Sequence, residues 1–571
     1  MPEYLAPAVY VEEISFRSKS IEGVGTSTAA FVGMTRRGPV SSGTSGVTPP
    51  LLTSFPDFER IYGGLDDLMI GGTRMTNHVA HAARAFFANG GRRLYVARVP
   101  GTSAAAAEAA TQTPEPAEAN RVRLRAGSVG GAALTVRLVS EALSTTKLLA
   151  LKQPAGTMVR LGAEYFIMGT DPILTTATNL TAWNALGEDG AVEVITLRVE
   201  VSDASGLLAG YAALGFHPSH PRYALMLLGE TPPSAAEAPA APLMIVAGLG
   251  VDAFKLRAAL LGGATDRTIT ISGGNDGASA PGDTEWGQAL DRLLALEEVS
   301  IVAAPGSSAF ADPTPAAVNK LLIGHAETRR AYRIAVLDTP PQLEPEGVRM
   351  LKSRIDSKYA ALYYPWIRVA NPVADTDPLA PLELHLPPSG FVCGIYARND
   401  MQRGVHKAPA NETVTGAIGL QREVLGGEQE VLNPLGINCI RTLPNRGIRV
   451  WGARTLSSDP EWKYVNVRRY FLYLEASIDR GTQWAVFEAN DERLWANIRS
   501  TISNFLYNEW VKGALLGATP MEAFFVRCDR STMTQNDLDN GRLVSLIGVA
   551  MLKPAEFVIF RIGQKTADSV G

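Results

Sequence analysis

The stretch TEWGQALDRLLALEEVSIVAAPG, residues 284–306, indicates how the central part of this chain folds. The apolar residues of its first half have the spacing of one face of an α-helix: Trp286, Leu290, Leu293 and Leu294. Its second half, residues 299–306, is a short apolar run that ends at a Pro-Gly pair, which is typical of a buried strand. A helix that leads into a buried strand is part of a βαβ unit.

The same alternation continues along the chain. We predict further helices at about 315–330 and 346–360, and strands at 332–338 and 361–369. The runs STAAFVGM (27–34) and RRLYVARV (92–99) are expected to add strands to the same sheet. The fold class predicted for this part is α/β with a parallel sheet.

Two stretches rich in Ala, Pro and Glu, residues 101–120 and 229–242, read as linkers. Between them lie alternating runs such as LTVRLV (134–139) and AVEVITLRVEV (191–201), which predict strands. We therefore expect a mostly β domain at 121–228, inserted into an α/β middle domain made of residues 26–120 and 229–399.

Residues 400–552 are expected to form an α+β C-terminal domain. Its best helix is NDERLWANIRSTISNFLYNEWVKG (490–513), capped by Asn490 and ended by Gly513. Its apolar stripe is Leu494, Ile498, Ile502, Phe505 and Leu506. The segments GINCIRTL, IRVWGART and VNVRRYFLYLEASI read as strands or strand–helix junctions.

Composition excludes several classes of function. The 571 residues carry a net charge of −4, which gives no electrostatic footprint for nucleic acid or an anionic membrane. The three cysteines match no zinc pattern and suggest a reducing compartment. No signal peptide and no apolar run long enough to span a bilayer are found, so we expect a soluble protein made in a cytoplasm.

Motifs for catalysis are scarce. The chain has no P-loop, no G-x-S-x-G and no H-E-x-x-H pattern, and we expect neither a cofactor nor a metal. For SGGNDG (272–277), a structural turn is a better interpretation than a phosphate-binding loop. For Asp338, a residue that ends a strand is a better interpretation than a catalytic acid. An α/β enzyme with a site near Asp276 and Asp338 remains the alternative. The pairs His78/His81 and His217/His220 are expected to be solvated rather than metal ligands.

Residues 441–469 are locally basic and contain interleaved Trp and Tyr. Binding of single-stranded nucleic acid is one interpretation. Because Arg, Trp and Tyr are enriched at protein interfaces and the chain is acidic overall, a protein interface is favoured. The candidate interface residues are Arg449, Arg454, Arg468 and Arg469.

Each end of the chain carries a strand-like run, PAVYVEEI (7–14) and EFVIFRI (556–562). Since chain ends are usually frayed and polar, such runs need a pairing partner. The strand residues are Val9, Tyr10, Val11 and Glu12 in the first run, and Phe557, Val558, Ile559, Phe560 and Arg561 in the second.

Long motifs give the chain a family resemblance. They are the opening PAVYVEEI…IEGVGTSTAAFVGMTRRGPV, SGGNDG, PPSGFVCGIYARNDMQRGVHKAPAN (387–411), LNPLGINCIRTLPNRGIRVWGARTLSSDPEWKYVNVRR (432–469) and the segment 518–562. They resemble the tail sheath proteins of contractile phage tails and related injection systems. The likeness covers about 1–100 and 243–565, whereas 121–228 corresponds to the variable outer domain of the family.

The resemblance implies a structural sheath subunit and not an enzyme. Subunits of this family polymerise around an inner tube, with the C-terminal domain facing the tube and the inserted domain facing outward. The N-terminal arm (1–25) and the C-terminal arm (553–571) complete β-sheets in neighbouring copies. Flexible arm roots are expected at 15–25 and near Lys553–Pro554.

The implied partners are further copies of the chain, the inner tube protein, and baseplate and terminator proteins, with no nucleic acid and no inserted membrane. The implied location is the bacterial cytoplasm during assembly, and then a phage tail or tail-like particle. Contraction is expected to need no nucleotide. Type VI secretion sheaths are built from two chains, so the phage type is preferred for this single chain. A small binding module of another surface or tail structure is a further alternative.

Overall fold

The computed structural model describes residues 20–41, 47–131, 133–169, 180–203, 206–229, 241–557 and 559. They fall into two compact units. The sheet unit comprises Thr26–Arg403 and Ala408–Val465, and the C-terminal unit comprises Gly404–Lys407, the chain from Asn466 onward and, at the other end, residues up to Gly25.

The strands are, in chain order, β1 Ala29–Gly33, β2 Leu51–Leu52, β3 Leu68–Ile70, β4 Thr73–Met75, β5 Leu94–Arg98, β6 Glu108–Ala110, β7 Val122–Ala126, β8 Leu134–Thr146, β9 Met158–Leu161, β10 Glu164–Ile167, β11 Ala191–Asp203, β12 Gly206–Leu214, β13 Leu243–Ala247, β14 Asp266–Ile271, β15 Ile301–Ala303, β16 Ile334–Asp338, β17 Ala360–Tyr364, β18 Ile367–Ala370, β19 Glu383–Leu386, β20 Glu412–Thr413, β21 Gly419–Leu420, β22 Ile437–Leu443, β23 Gly447–Val450, β24 Phe524–Arg527 and β25 Leu546–Val549.

The helices are α1 Phe55–Tyr62, α2 His78–Ala88, α3 Lys147–Ala150, α4 Leu180–Ala185, α5 Ala224–Leu228, α6 Ala253–Leu261, α7 Asp283–Leu294, α8 Thr314–Glu327, α9 Pro345–Ser353, α10 Ser389–Arg403, α11 Gly426–Leu432, α12 Val465–Gly481, α13 Glu492–Val511, α14 Pro520–Ala523 and α15 Gln535–Asp539.

A nine-stranded sheet forms the centre of the sheet unit, in the order β2-β5-β1-β15-β16-β17-β22-β23-β20. The six strands from β5 to β22 are parallel, and β2, β23 and β20 are antiparallel to their neighbours. All five residues of β1, β16 and β17 are buried, as expected for strands covered on both faces. The predicted parallel α/β sheet is therefore present.

Helices cover both faces of this sheet. On one face Ala30 and Val32 share a core with Trp286 of α7, and α8 and α9 also contribute to that core. On the other face Phe31 packs edge-on against Phe86 of α2 with ring centroids 5.8 Å apart. The side chains of successive residues in one strand thus point to opposite layers.

An antiparallel β module lies within the sheet unit. One of its sheets has the order β10-β9-β11-β8-β14 with β12 paired to β11, and a second has the order β13-β7-β6. The module spans more than the expected 121–228, because β6, β13, α6 and β14 all contribute to its core. Ala105 bridges Asn275 where the chain enters and leaves it. Residues 101–120 therefore hold part of the core rather than a plain linker, whereas 230–240 lie outside the described residues.

Of residues 400–465, which were expected in the C-terminal unit, only Gly404–Lys407 belong to it, and its continuous part begins at residue 466. The reason is that β22 extends the parallel sheet beside β17, and this draws residues 408–465 into the sheet unit. The segment VNVRRYFLYLEASI, expected as strand or junction, is helix α12. Its aromatic and β-branched residues favour strands locally, but Tyr470 and Leu474, one helical turn apart, are both buried in the core of this unit.

Smaller corrections concern the helix ends. Helix α13 is capped by Asp491, whose side chain accepts the N–H of Leu494, and not by Asn490. The predicted stripe of α13 is buried in the core, as expected. Helix α9 ends at Ser353 rather than near 360, and Leu294 is 37% exposed at the end of α7 instead of buried.

Candidate assembly surface of the C-terminal unit

The sheet of the C-terminal unit, within the described residues, is the strand pair β24–β25. Phe524 pairs with Val549 and Arg527 with Leu546, in antiparallel register. Within the described residues no third strand joins this sheet. A two-stranded sheet is marginal alone, and each unpaired edge presents free backbone N–H and C=O groups to another strand.

The two faces of this strand pair differ. Phe524 and Val526 pack against the core that α12 and α13 supply. Phe525 is 47% exposed and Leu546 51% exposed on the other face. The Arg527 guanidinium lies 5.4 Å from the ring centroid of Phe525. The inner face therefore holds the strands in place while the outer face stays apolar and accessible. Strand β24 is absent from the sequence-based predictions, although the strand-forming residues Phe524, Phe525 and Val526 are a signal that could have revealed it.

Both terminal segments belong to this same unit. Ile21 is buried in its core, and the Val24 N–H donates to Ser477 Oγ on α12 at 3.1 Å. At the other end Met551 bridges Leu515, and no strand or helix follows among the described residues. The N-terminal root, expected to be flexible over 15–25, is thus packed from Ile21 to Val24, and residues 15–19 lie outside the described part.

Most residues of the expected arm strands lie outside the described part of the chain. These are Val9, Tyr10, Val11 and Glu12 in the first strand, and Val558, Phe560 and Arg561 in the second. Phe557 and Ile559 are described and are 72% and 80% exposed. Large apolar side chains this exposed fit a segment that pairs with another chain, so their role in assembly stays a prediction.

The four candidate interface arginines fall into two groups that differ in burial. Arg449 is half-buried and donates to the carbonyls of Arg446 and Asn411. The other three are nearly inaccessible, at 4% exposure or less: Arg454, Arg468 and Arg469. Arg454 donates to the Asn433 carbonyl, and Arg468 pairs with Glu475 at 2.9 Å. Burial within one chain therefore favours a structural role for these three.

Asp276, part of the alternative enzyme site, connects segments that are far apart in the sequence. Its carboxylate accepts the N–H groups of Met69 and Gly131, each at 3.0 Å. The next residue, Gly277, has φ +119° and contacts the backbone of Gly101, so a side chain there would be strained. SGGNDG is thus a turn that holds the β module to the hairpin of β3 and β4.

Asp338, the other carboxylate of that alternative, ends β16 and is buried at 5% exposure. It accepts the N–H of Ser389 at 2.8 Å and the Ser389 hydroxyl at 2.6 Å, and so serves the first turn of α10. Burial raises the pKa of Asp338 to about 7, and the two hydrogen bonds from Ser389 oppose that rise. Both carboxylates are thus engaged by protein groups.

The histidine pairs differ from expectation in one case. His78 and His81 are buried, not solvated, and burial lowers their pKa to about 3 and about 4. His217 and His220 are half-exposed, and each ring accepts a backbone N–H two residues further on. No cluster of potential metal ligands was found in the parts of the chain that the structure describes.

Comparison with known proteins identifies the family. A family model for the phage tail sheath protein central domain matches residues 280–456, and one for the phage tail sheath C-terminal domain matches residues 457–565. Together they match half of the chain. This chain belongs to the phage tail sheath protein family. Its members are structural subunits of the sheath in contractile tails and tail-like systems.

Individual relatives agree with this assignment. A prophage major tail sheath protein of Pseudomonas aeruginosa (strain UCBPP-PA14) is 29% identical over 295 residues, which are 50% of this chain and 70% of the relative. The helical sheath of the anti-feeding prophage in its contracted state has a TM-score of 0.54 at 20% identity, covering 99% of this chain and 100% of that one.

The contracted sheath complex of PVC, an extracellular contractile injection system, has a TM-score of 0.52 at 20% identity and covers 99% of both chains. At 20% identity these two likenesses show the fold. No helix in the described part of this sheath protein is long and apolar enough to cross a membrane.

Proposed function

We propose that this sheath protein polymerises around an inner tube by strand exchange, with both terminal arms completing β24–β25 sheets in neighbouring copies. One observation carries the proposal: the C-terminal unit holds a two-stranded sheet without a third strand among the described residues, and both terminal segments belong to that unit. An acceptor and two donors on one body allow each copy to link to others.

The energetics favour many weak links. Each cross-strand pair contributes about 0.2–1 kcal/mol, so one arm of a few residues binds weakly alone. With two arms per subunit, repeated through a lattice, the weak contacts together bind strongly, because each further contact forms at high effective concentration. The alternating side chains of the arm, such as Phe557 and Ile559, set the register.

Contraction is proposed to convert an extended lattice into one that buries more surface. The arms keep the copies linked while nearly rigid bodies move, and the released interface free energy drives the tube through a target envelope without nucleotide hydrolysis. The C-terminal unit is proposed to face the tube and the β module to face outward. Inner tube, baseplate and terminator proteins are the proposed partners, with assembly in the bacterial cytoplasm.

The proposal is tested by negative-stain electron microscopy of the purified chain beside a version lacking residues 1–14. Tubes from the full chain that disappear on truncation are the expected result. Tubes that survive truncation, or uniform small particles from the full chain at high concentration, would contradict assembly of this chain through its N-terminal strand.

A further inference from the structure

The segment Ile21–Gly25 is fixed on helix α12 at several points. The Ile21 side chain is 8% exposed and belongs to the core of the C-terminal unit. It lies over Gly481, where a methyl group would come within 2.6 Å of Ile21 Cγ1. Three residues later, the Val24 N–H donates to Ser477 Oγ, which itself donates to the Tyr473 carbonyl at 2.7 Å. The segment therefore follows α12 for about two turns.

Gly23 lies on the ring of Tyr473 within this segment. A methyl group at Gly23 would overlap the Tyr473 hydroxyl oxygen and lie 3.0 Å from Cε2 and Cζ of the ring. The ring cannot easily give way, because its hydroxyl donates to Glu509 at 3.1 Å. Glu509 is 4% exposed and also accepts the Tyr470 hydroxyl and the Lys512 ammonium group. The contact with Gly23 is thus made by a side chain that the core itself holds.

We propose that Ile21–Gly25 form a clamp that fixes where the N-terminal arm leaves the C-terminal unit and so presents the arm to a neighbouring copy. This inference rests on the strand exchange proposed above. It replaces the flexible root expected at these residues with a rigid one. A fixed exit raises the effective concentration of the arm at one acceptor and lowers the entropy lost on pairing.

Gly23→Ala and Gly25→Ala form a matched pair of variants. A methyl group at Gly23 meets Tyr473, whereas at Gly25 it meets nothing within 4 Å. Neither glycine has a positive φ, so backbone strain does not separate the two. We expect Gly23→Ala to reduce polymer formation by about tenfold or more at a fixed concentration, and Gly25→Ala to leave it unchanged.

A second readout does not depend on assembly. Peptide-level hydrogen exchange over residues 20–28, measured on unassembled protein, reports the Val24 N–H bond to Ser477. Protection is expected in the wild type and Gly25→Ala, and is expected to be lost in Gly23→Ala and in Ser477→Ala. A Gly23→Ala/Tyr473→Phe double variant removes the overlapping hydroxyl and is expected to recover part of both protection and assembly.

The outcomes separate this inference from the proposed function. If deletion of residues 1–14 abolishes assembly while Gly23→Ala assembles normally, strand exchange stands and the clamp is overturned. Loss of protection without any loss of assembly also overturns it. If the chain lacking residues 1–14 assembles like the wild type, the proposed function fails. Ser477→Ala provides the same comparison if Gly23→Ala does not fold.

Discussion

Single buried ionisable groups in the sheet unit hold its own elements together. The Arg333 side chain is 1% exposed and donates to the carbonyls of Leu293 and Val299, next to a 2.6 Å hydrogen bond with His325. Burial lowers the pKa of Arg333 to about 10, so its charge persists at neutral pH. Asp338 acts in the same way on Ser389 of α10. Such groups are costly to bury and are retained where they satisfy backbone groups.

The first prediction concerns pH and Asp338. Burial raises its pKa from 3.8 to about 7, so the folded state keeps a proton that the unfolded state loses. The contribution of this protonated carboxyl to the free energy of unfolding is full below about pH 4. It falls as the pH rises to about 7, and above that pH the loss is complete and stability no longer changes from this cause. At about 1.4 kcal/mol per pKa unit, we expect a loss of about 4 kcal/mol across this window.

Asp338→Asn should remove this part of the pH dependence. The measurement is urea denaturation of both proteins between pH 4 and pH 8, compared as the difference between their midpoints. The difference between the midpoints should change between about pH 4 and pH 7 and stay constant above pH 7. Two curves that run parallel throughout would show that Asp338 does not titrate in this way.

The second prediction compares charge reversal at the buried Arg468 with charge reversal at the half-buried Arg449. Arg468 is buried against Glu475, so Arg468→Glu places two carboxylates together and should destabilise the C-terminal unit by about 3 kcal/mol or more. Arg449 is half-buried, and Arg449→Glu should change stability much less. Thermal unfolding of both variants checks this order. An Arg468→Glu protein as stable as the wild type would return that residue to the interface candidates.

At the scale of elements, the C-terminal unit depends on α13. Its stripe supplies much of the unit's core, and β24 and β25 pack against that core. The helix begins where the Asp491 carboxylate accepts the Leu494 N–H at 2.9 Å, and it is followed by Gly513 at φ +75°. An acidic cap at the N-terminus and a left-handed Gly beyond the C-terminus fix both ends.

The third prediction tests this cap. Asp491→Ala should lower the free energy of unfolding of the C-terminal unit by about 1 kcal/mol, because one backbone N–H loses its acceptor. Asp491→Ser keeps an acceptor and serves as the control, with a smaller effect. Chemical denaturation followed by tryptophan fluorescence can report the change, since Trp495 lies in the first turns of α13. Equal losses in the two variants would contradict the capping role.

At the scale of the molecule, the β module and the assembly surface belong to different parts of the chain. The module enters and leaves at Ala105 and Asn275, where each backbone N–H donates to the carbonyl of the other residue, at 3.2 and 3.0 Å. None of its strands belongs to the nine-stranded sheet or to the C-terminal unit. A module with adjacent ends can be removed with little change in the path of the host chain.

The fourth prediction follows from that arrangement. Replacement of residues 106–274 by a short Gly-Ser linker should leave a folded chain that still forms sheath tubes, because the proposed donors and acceptor lie in the C-terminal unit. Electron microscopy should show narrower tubes if the module faces outward. A folded variant that no longer polymerises would show that the module takes part in lattice contacts.

Features that depend on local pattern or on long motifs can be predicted from the sequence alone. The helix-to-strand rhythm of 284–369 gave the parallel sheet, the stripe of α13 gave the best helix, and the motifs of 387–469 and 518–562 gave the family. These features are readable because a repeated period or a long match is specified by neighbours in the chain.

Contacts between segments that are distant along the chain are visible only in the folded structure. In the folded chain, residues 408–465 belong to the sheet unit and VNVRRYFLYLEASI forms helix α12. Arg454, Arg468 and Arg469 are buried. Ile21 and Val24 lie on α12, more than 450 residues away along the chain. Burial and pairing depend on contacts that no local window contains, so tertiary packing overrides propensity at these positions.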